Sequence, residues 1–441
     1  MHFVVNNAPL PYLRSGPTAG STPYKTIIGS ESFSMKMKLS AVLVLGALGL
    51  MQAGAANAVA IGDGNLNVSG FGTLAAAKSN TEDARFTRAN QREGTAGTST
   101  LGLDSNLGLQ ATYTFSDKLS ATTQILSRKS TGDSFTTELA WAFVKYKLND
   151  EVSFRAGRIV VPAFLISDYQ NVGYANTMMR PPVEMYGQMF IENADGVDVN
   201  WQRAFGDTNV TAQAFVGIAR GKSYVSSDHS SPRYQAPVGG FAVSAEHGPV
   251  TLRFAHAQGK LKATDVKPIN SLTATLASVG FGQLADDITI ADYKRVAFTS
   301  VGLMADWNNI VVQSEFGMRR AKDAVYLADS NAWYTMVGYR FGKVLPYFSH
   351  AKYDGKGSTV AVPAALARIP TLNAGVKNLL APGSQSSNTV GVRWDFASSA
   401  ALKVQVDRVK PGAKNGFLSD VTPAGVGKKV TVVAAGVDFV F

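Results

Sequence analysis

The 441-residue sequence contains no cysteine. Disulfides, thiolate nucleophiles and cysteine-ligated metal sites are therefore excluded. After Met51 the chain has no apolar run that approaches the roughly 20 residues needed for a membrane-spanning helix. Its formal net charge of +10 is carried by scattered basic residues and not by the basic blocks typical of nucleic-acid-binding proteins. The sequence thus excludes a disulfide scaffold and favours neither a helical membrane protein nor a nucleic-acid partner.

The first 58 residues are predicted to be absent from the folded protein. Residues 1–34 show neither a helical nor a strand period, and we interpret them as a non-structural extension or an artefact of the choice of start codon. Residues 35–58 combine a basic head, a short apolar run and the small-residue end Ala56-Asn57-Ala58. This order is typical of a secretory signal peptide that is cleaved after its small residues. Residues 59–441 are therefore predicted to form the exported, folded domain.

From residue 59 onward, apolar and polar residues alternate in segments of about ten residues. Because successive side chains of a strand point to opposite faces, this pattern suits strands with one face in lipid and the other in water. The sequence contains sixteen such segments, connected alternately by a short polar turn and a longer loop. The short turns are 116–118, 149–151, 206–208, 248–249, 308–309, 342–343 and 397–399. This asymmetry predicts an all-β fold, a sixteen-stranded antiparallel transmembrane β-barrel with its short turns at one end.

The placement of aromatic residues separates a membrane barrel from a soluble β-sandwich, whose strands alternate as regularly. Aromatic residues lie at strand ends beside the short turns, where a membrane barrel has its interfacial girdle. They are Tyr113, Phe115, Tyr146, Phe205, Trp307, Tyr339, Phe341 and Phe396. The chain then ends in an alternating strand, 429–441, whose Val437, Phe439 and Phe441 share one face. A closed barrel requires this strand to pair with the first one.

The terminal Phe441 on an alternating strand, together with the sixteen segments, resembles the sixteen-stranded trimeric diffusion porins of the Gram-negative outer membrane. The resemblance covers residues 59–441 at the level of architecture. It implies that Val437, Phe439 and Phe441 form a barrel-closing signal read by the barrel-assembly machinery. It also implies a homotrimer, although isolated barrels are an alternative, in contact with outer-membrane lipid and lipopolysaccharide. A third outer loop folded into the barrel and the absence of a cofactor complete the expectation.

The third outer loop, 159–193, carries the candidate functional residues. In porins this loop narrows the channel, and the sequence here is similar to a subset of proteobacterial porins. Acidic residues on the loop, opposite wall arginines, are expected to set a transverse field that selects solutes by size and charge. The candidate constriction residues are Arg155, Arg158, Asp168, Tyr169, Arg180, Glu184, Tyr186 and Arg253.

These features predict a water-filled channel for passive diffusion of ions and small hydrophilic solutes, without enzymatic activity. A channel specific for an anion, a carboxylate or a sugar is the first alternative, and the positive net charge favours anions. An outer-membrane enzyme using Asp228 and His229 is the second, although no oriented nucleophile is evident. Adhesion through the long outer loops is the third. Asp286, Asp287 and Asp292 in the fifth outer loop lack the dense ligand pattern of a calcium site, so no metal is predicted.

Overall fold

The computed structural model describes residues 59–61, 64–321, 323–324 and 326–441, so the predicted extension and signal peptide, residues 1–58, lie outside the described residues. The described chain contains seventeen strands. They are β1 (Val59–Ile61), β2 (Leu66–Ser79), β3 (Asn106–Ser116), β4 (Leu119–Lys129), β5 (Phe135–Lys147), β6 (Val152–Val160), β7 (Asn193–Phe205), β8 (Thr208–Lys222), β9 (Arg233–His247), β10 (Val250–Ala263), β11 (Lys294–Trp307), β12 (Ile310–Arg320), β13 (Ser330–Tyr339), β14 (Val344–Gly355), β15 (Ser384–Ala397), β16 (Ala400–Pro411) and β17 (Val430–Val440).

Strands β2 to β17 form a closed antiparallel barrel in which each strand pairs with its neighbours in sequence. The barrel closes where β17 pairs with β2, with Phe439 opposite Gly72 and Val432 opposite Ser79. The short β1 pairs with the beginning of β2 and extends this closing seam. The predicted sixteen-stranded antiparallel barrel is therefore confirmed.

The short connections lie at the predicted turns, and their backbone conformation explains the residues found there. Asn308 and Asn309 have positive φ angles of 49° and 70°. Gly206, Gly248 and Gly342 reach 58°, 54° and 57°. Left-handed conformations match the twist of tight hairpins and are tolerated best by glycine and asparagine. The turn sequences thus encode hairpins at one end of the barrel.

The first long connection differs from the sequence pattern. Alternation from Leu101 to Phe115 predicts one continuous strand, but residues 101–104 bend and turn and β3 begins at Asn106. Leu103 is only 2% exposed and belongs to a buried cluster that includes Met179 of the third outer loop. Its apolar character serves packing inside the barrel and not contact with lipid.

Four α-helices lie in connections between the described strands. They are α1 (Val183–Tyr186), α2 (Lys267–Ser278), α3 (Gly282–Ile288) and α4 (Pro370–Leu380). The three longer ones share a small core on the outer loops, in which Leu276, Ile288 and Val376 are fully buried. None of the helices in the described ranges is long and apolar enough to cross a membrane.

Strand side chains divide into an outward apolar set and an inward, mainly polar or small set. On β10, Leu252 and Phe254 are 52% and 40% exposed, whereas the inward Ala255 is 1% exposed. On β6 and β8 to β11 the outward set becomes cationic away from the short turns; on β8, Val216 is followed by Arg220 and Lys222. The outward cations of β6 and β8 to β11 are Arg158, Arg220, Lys222, Arg233, Lys260, Lys262 and Arg295. We call this row the cationic edge.

The final strand fits against β2 because two glycines leave room for its aromatic rings. Phe441 exchanges two backbone hydrogen bonds with Gly70, at 2.8 and 2.9 Å. A Cβ added at Gly70 would lie 2.2 Å from the Phe441 ring, and one at Gly72 would lie 2.5 Å from the Phe439 ring. The predicted pairing of the last strand with the first is confirmed. That Val437, Phe439 and Phe441 act as an assembly signal stays a prediction.

Candidate functional site

The connection between β6 and β7, residues 161–192, folds into the barrel as predicted; we call it the inner loop. Ile166 and Met185 are 2% and 0% exposed, and they share a core with inward residues of β8 to β14. Wall side chains also bind the loop backbone: the Leu165 N–H donates to Glu315 Oε1 at 2.8 Å. Much of the lumen at this level is thus packed like a protein interior.

Arg180 is the first anchor of the inner loop. Its side chain is 2% exposed and donates from Nε to Asp104 Oδ1 at 2.7 Å. Nη1 donates to Asp407 of β16. Burial alone would lower the pKa of Arg180, but the two carboxylates outweigh it and hold the pKa above its ordinary value. Arg180, predicted to line the constriction, is instead a buried ion bridge between the loop and the wall.

Lys403 of β16 is the second anchor. Its side chain is 0% exposed, and Nζ pairs with Asp438 at 2.8 Å. The same ammonium donates to the carbonyl oxygens of Gly173 at 2.7 Å and Met178 at 3.1 Å. Thr73 of β2 donates to the Asp438 carboxylate at 2.6 Å. One lysine therefore ties the inner loop to the seam at which the barrel closes.

Glu184 and Tyr186 lie between the inner loop and the wall. Glu184, which we predicted to face the wall arginines, is 1% exposed and accepts a hydrogen bond from Gln385 Nε2 at 2.9 Å. The predicted arrangement is wrong because the short helix α1 packs its side chains against β12 to β15. The Tyr186 hydroxyl donates to Glu315 at 2.9 Å, and its ring stacks on Phe164 with centroids 4.5 Å apart. Burial raises the pKa of both Glu184 and Tyr186.

The buried Glu184 predicts a pH-dependent gain in stability from Glu184→Gln. A carboxyl group whose pKa is raised in the folded state stabilises the fold in its protonated form, and this contribution is lost as pH rises above the unfolded pKa of about 4.3. Glutamine keeps the acceptor for Gln385 without the charge. We expect the variant to melt a few degrees above the unchanged protein at neutral pH, with the difference shrinking in acid.

Thermal unfolding followed by circular dichroism across the pH range measures this difference. The exposed Glu82 supplies the control, since Glu82→Gln should leave the pH dependence unchanged. A Glu184→Gln variant that is less stable at every pH would contradict the argument.

The two arginines at the start of this region lie on opposite faces of β6. Arg155 points inward and binds Asp198 of β7 through Nε and Nη2, at distances of 2.6 to 3.0 Å. Arg158 shares the outward set with Phe154 and pairs with Asp195 at 2.8 Å. Its predicted place at the constriction is wrong, because β6 continues its alternation through Arg158 before the chain turns inward.

Asp168 and Arg253 are two candidate constriction residues that the structure brings together. Arg253 Nη2 lies 3.8 Å from Asp168 Oδ2, and Nη1 donates to Ser244 at 3.3 Å. Both residues line a cavity of about 270 Å³ that also contains Arg155 and Lys145. The neighbouring Tyr169 is half-buried, and burial raises its pKa to about 12. This polar cavity on the short-turn side of the inner loop is the candidate constriction.

The sequence did not indicate the inward wall residues that form ion pairs with the inner loop on the side opposite the Asp168–Arg253 pair. Arg128 of β4 binds Glu192 of the loop through two hydrogen bonds, at 3.0 and 2.9 Å, and Glu138 of β5 at 2.8 Å. Burial would raise the pKa of Glu192, but Arg128 outweighs this and lowers it. Strand alternation places Arg128 and Glu138 in the lumen, yet only the folded loop brings Glu192 to them.

Residues behind two of the alternatives are not assembled into sites. The Asp228 carboxylate accepts from Ser230 at 2.7 Å, whereas His229 Nδ1 lies 2.8 Å from the Tyr224 hydroxyl, so these hydrogen bonds do not join the two residues of the enzyme alternative. In the fifth outer loop, Gln283 donates to Asp287 at 3.0 Å. Within the described residues, no group of three or more His, Cys, Asp or Glu could hold a metal ion.

No family model and no curated protein matches the chain. Among solved structures, OmpT, an outer membrane protein of Vibrio cholerae, is similar with a TM-score of 0.50 and 13% identity over 87% of this chain and 100% of that chain. An anion-selective porin from Comamonas acidovorans has a TM-score of 0.49 and 15% identity, covering 85% and 99% of the two chains. The outer membrane channel DcaP of Acinetobacter baumannii has a TM-score of 0.49 and 12% identity, covering 86% and 99%. At 13% identity, the likeness to OmpT shows the barrel fold alone.

Proposed function

We propose that this protein is an outer-membrane porin of a Gram-negative bacterium, a water-filled channel for passive diffusion of ions and small hydrophilic solutes. One observation carries the proposal: inside a closed barrel, Asp168 of the inner loop and Arg253 of the wall lie 3.8 Å apart beside a polar cavity of about 270 Å³. Opposite charges across a narrow aqueous passage select solutes by size and charge. The anchors at Arg180 and Lys403 support it, because they hold the loop at a fixed position.

The outer surface supports a membrane setting for this channel. Its outward set is apolar over most of the strand length and, on β6 and β8 to β11, ends in the cationic edge. Apolar residues suit hydrocarbon, and cations suit the anionic head groups of outer-membrane lipid and lipopolysaccharide. We include in the proposal a homotrimer and delivery by the barrel-assembly machinery, both on the porin resemblance, and no enzymatic activity.

A channel specific for anions is the second candidate, favoured by the unused donors of Arg253. Its Nε and Nη2 are buried and have no hydrogen-bond partner in the described part of the chain. Lys145 lines the same cavity. Buried donors without acceptors are costly, so a passing solute with acceptor oxygens would be stabilised at this point.

Conductance across planar bilayers tests both candidates. The purified protein is expected to open stable channels, and reversal potentials in a salt gradient report the ratio of anion to cation permeability. Asp168→Asn should raise this ratio about twofold and Arg253→Gln should lower it about as much, because each removes one charge beside the narrow passage. Asp354→Asn, on the exposed outer end of β14, is the control and should leave the ratio unchanged.

The outcomes separate the candidates. Block of the current by one anion at low concentration indicates the anion-specific channel, and its absence indicates the general one. Purified protein that inserts into the bilayer but carries no current would contradict both candidates. Equal effects of Asp168→Asn and Asp354→Asn on the permeability ratio would show that the Asp168–Arg253 pair does not form the constriction.

A further inference from the structure

The outer half of the barrel wall contains an opening between β5 and β8. The pairing of β5 with β6 stops at Ala142, although β5 continues outward to Phe135. β6 ends at Val160, where the chain turns into the lumen, and β7 begins at Asn193, where the chain returns to the wall, whereas β8 continues outward to Lys222. The outer half of β5 therefore has no strand beside it on this side.

Side-chain hydrogen bonds lie at both edges of this opening, which we call the side window. At its inner edge, Arg158 Nη1 donates to the Leu139 carbonyl of β5 at 3.2 Å. At its outer edge, the Ser231 hydroxyl donates to the Thr131 carbonyl at 2.8 Å and joins the fourth outer loop to the second. The side window is thus a framed feature of the wall and not a frayed strand end.

A cavity of about 430 Å³ occupies the side window. Its lining includes Arg158 and Arg220 from the outward set, and Arg128 from the inward set of β4. Residues from both faces of the wall therefore border one cavity, which extends from the outer surface towards the lumen. The cations that line it are Arg88, Arg128, Lys129, Arg158, Arg220 and Lys222.

The carboxylates near these six cations are already engaged. The ion pairs are Arg128 with Glu138 and Glu192, Lys129 with Glu93, and Arg158 and Arg220 with Asp195. Six cations and four carboxylates leave an excess of two positive charges. Arg88 and Lys222 are the two lining cations whose side chains make no ion pair with any described residue.

Arg88 lies in the first outer loop and lines the cavity. Burial, together with the charges of Arg128 and Arg180, lowers its pKa, while Asp104 and Glu192 act in the opposite direction. A partly buried cation among other cations is stabilised by any anion that enters the cavity. Guanidinium and ammonium donors are also those that bind phosphate oxygens best.

We propose that the side window is a binding site for a phosphate-type oxyanion, held by Arg88 and Lys222 with Arg220 at the mouth. This site is separate from the proposed constriction and does not depend on conduction. In the proposed membrane setting, two sources offer the same chemistry: the phosphorylated head groups beside the cationic edge, and free phosphate in solution. The chemistry of the ligand is common to both, and the experiment distinguishes the source.

Isothermal titration of the purified full-length protein in detergent tests the site in two arms. One arm uses inorganic phosphate, and the other uses mixed micelles of a bis-phosphorylated acyl-disaccharide lipid, with its dephosphorylated form as the reference. The double variant Arg88→Gln with Lys222→Gln is expected to weaken phosphate-dependent binding about tenfold or more, since it removes two charged donors. The control is Arg408→Gln with Lys410→Gln on the outer end of β16, which removes the same charge from exposed positions and should change binding less than about twofold.

Binding only in the lipid arm assigns the head group as the source, and binding of inorganic phosphate assigns a dissolved solute. Equal losses in the two double variants would overturn the proposal, because they would reflect net charge and not a site. So would the absence of phosphate-dependent binding in both arms. Arg88→Lys with Lys222→Arg keeps both charges and should retain most of the binding, which guards against a folding defect. Conductance in chloride is measured on the same samples, so failure of the channel proposal is seen separately.

Discussion

Replacing Arg180 by alanine is expected to destabilise the protein by about 3–5 kcal/mol and to detach the inner loop from the wall. The guanidinium is buried and binds both Asp104 and Asp407, so its removal leaves two buried carboxylates without their cation. The loss of such a partner costs far more than the loss of an exposed one. A lower melting temperature and a larger, noisier single-channel conductance should therefore appear together.

Arg295 provides the matched control for this experiment. It also pairs with a carboxylate, that of Asp323 at 2.6 Å, but its side chain is 62% exposed on the outer surface. Arg295→Ala should cost less than about 1 kcal/mol and leave conductance unchanged. If Arg180→Ala were no more destabilising than Arg295→Ala, the buried ion bridge would not be what holds the loop.

Lys403→Met is expected to produce a loss of similar size, about 3–5 kcal/mol, by a different route. The change leaves the buried Asp438 without its cation and removes the donor that serves carbonyl oxygens of the inner loop, including that of Gly173. Because Asp438 lies on β17, the destabilisation falls on the closing seam. Temperature-dependent loss of the folded barrel on a denaturing gel, together with circular dichroism, measures it.

A double variant separates the two parts of this effect. Lys403→Met with Asp438→Asn removes the stranded charge, while Thr73 can still bond the new amide oxygen. We expect it to recover roughly half of the lost stability, with the rest attributable to the unsatisfied loop carbonyls. A double variant as unstable as Lys403→Met alone would refute the assignment to an uncompensated charge. Lys352→Met, on an exposed outer ion pair, is the neutral control.

The barrel could be predicted because its information is local. Two properties of short segments carry this information: an apolar residue at every second position, and a turn-forming residue at each hairpin. Asn308 and Asn309, with their positive φ angles, show how directly a turn is encoded. Closure follows from the count of strands and from the alternation of the last one. Leu103 was misread because its spacing matches a strand, while its contacts come from a loop far away in sequence.

The site was predicted less well because it depends on the path of the inner loop. Charge and position identified both Asp168 and Arg253 as candidates, since one lies on the inward loop and the other on an inward strand position, and the structure brings them within 3.8 Å of each other. The prediction for Glu184 was wrong because the sequence around it does not distinguish a carboxylate that faces water from one that is buried against Gln385. The prediction for Arg158 was wrong because β6 keeps its alternation up to the point where the chain turns inward, and this places the Arg158 side chain on the outer face.

The cationic edge has a mechanical consequence for the proposed membrane setting. An arginine or lysine on the lipid face costs about 2–4 kcal/mol at the middle of a bilayer and little near its surface. On β8 the change from Val216 to Arg220 and Lys222 occupies only a few positions, and equivalent changes occur on β9 to β11. If the barrel sank into the membrane by the spacing of one pair of strand residues, several of these cations would enter the hydrocarbon together. The row therefore fixes the depth of immersion on this flank and opposes tilting towards it.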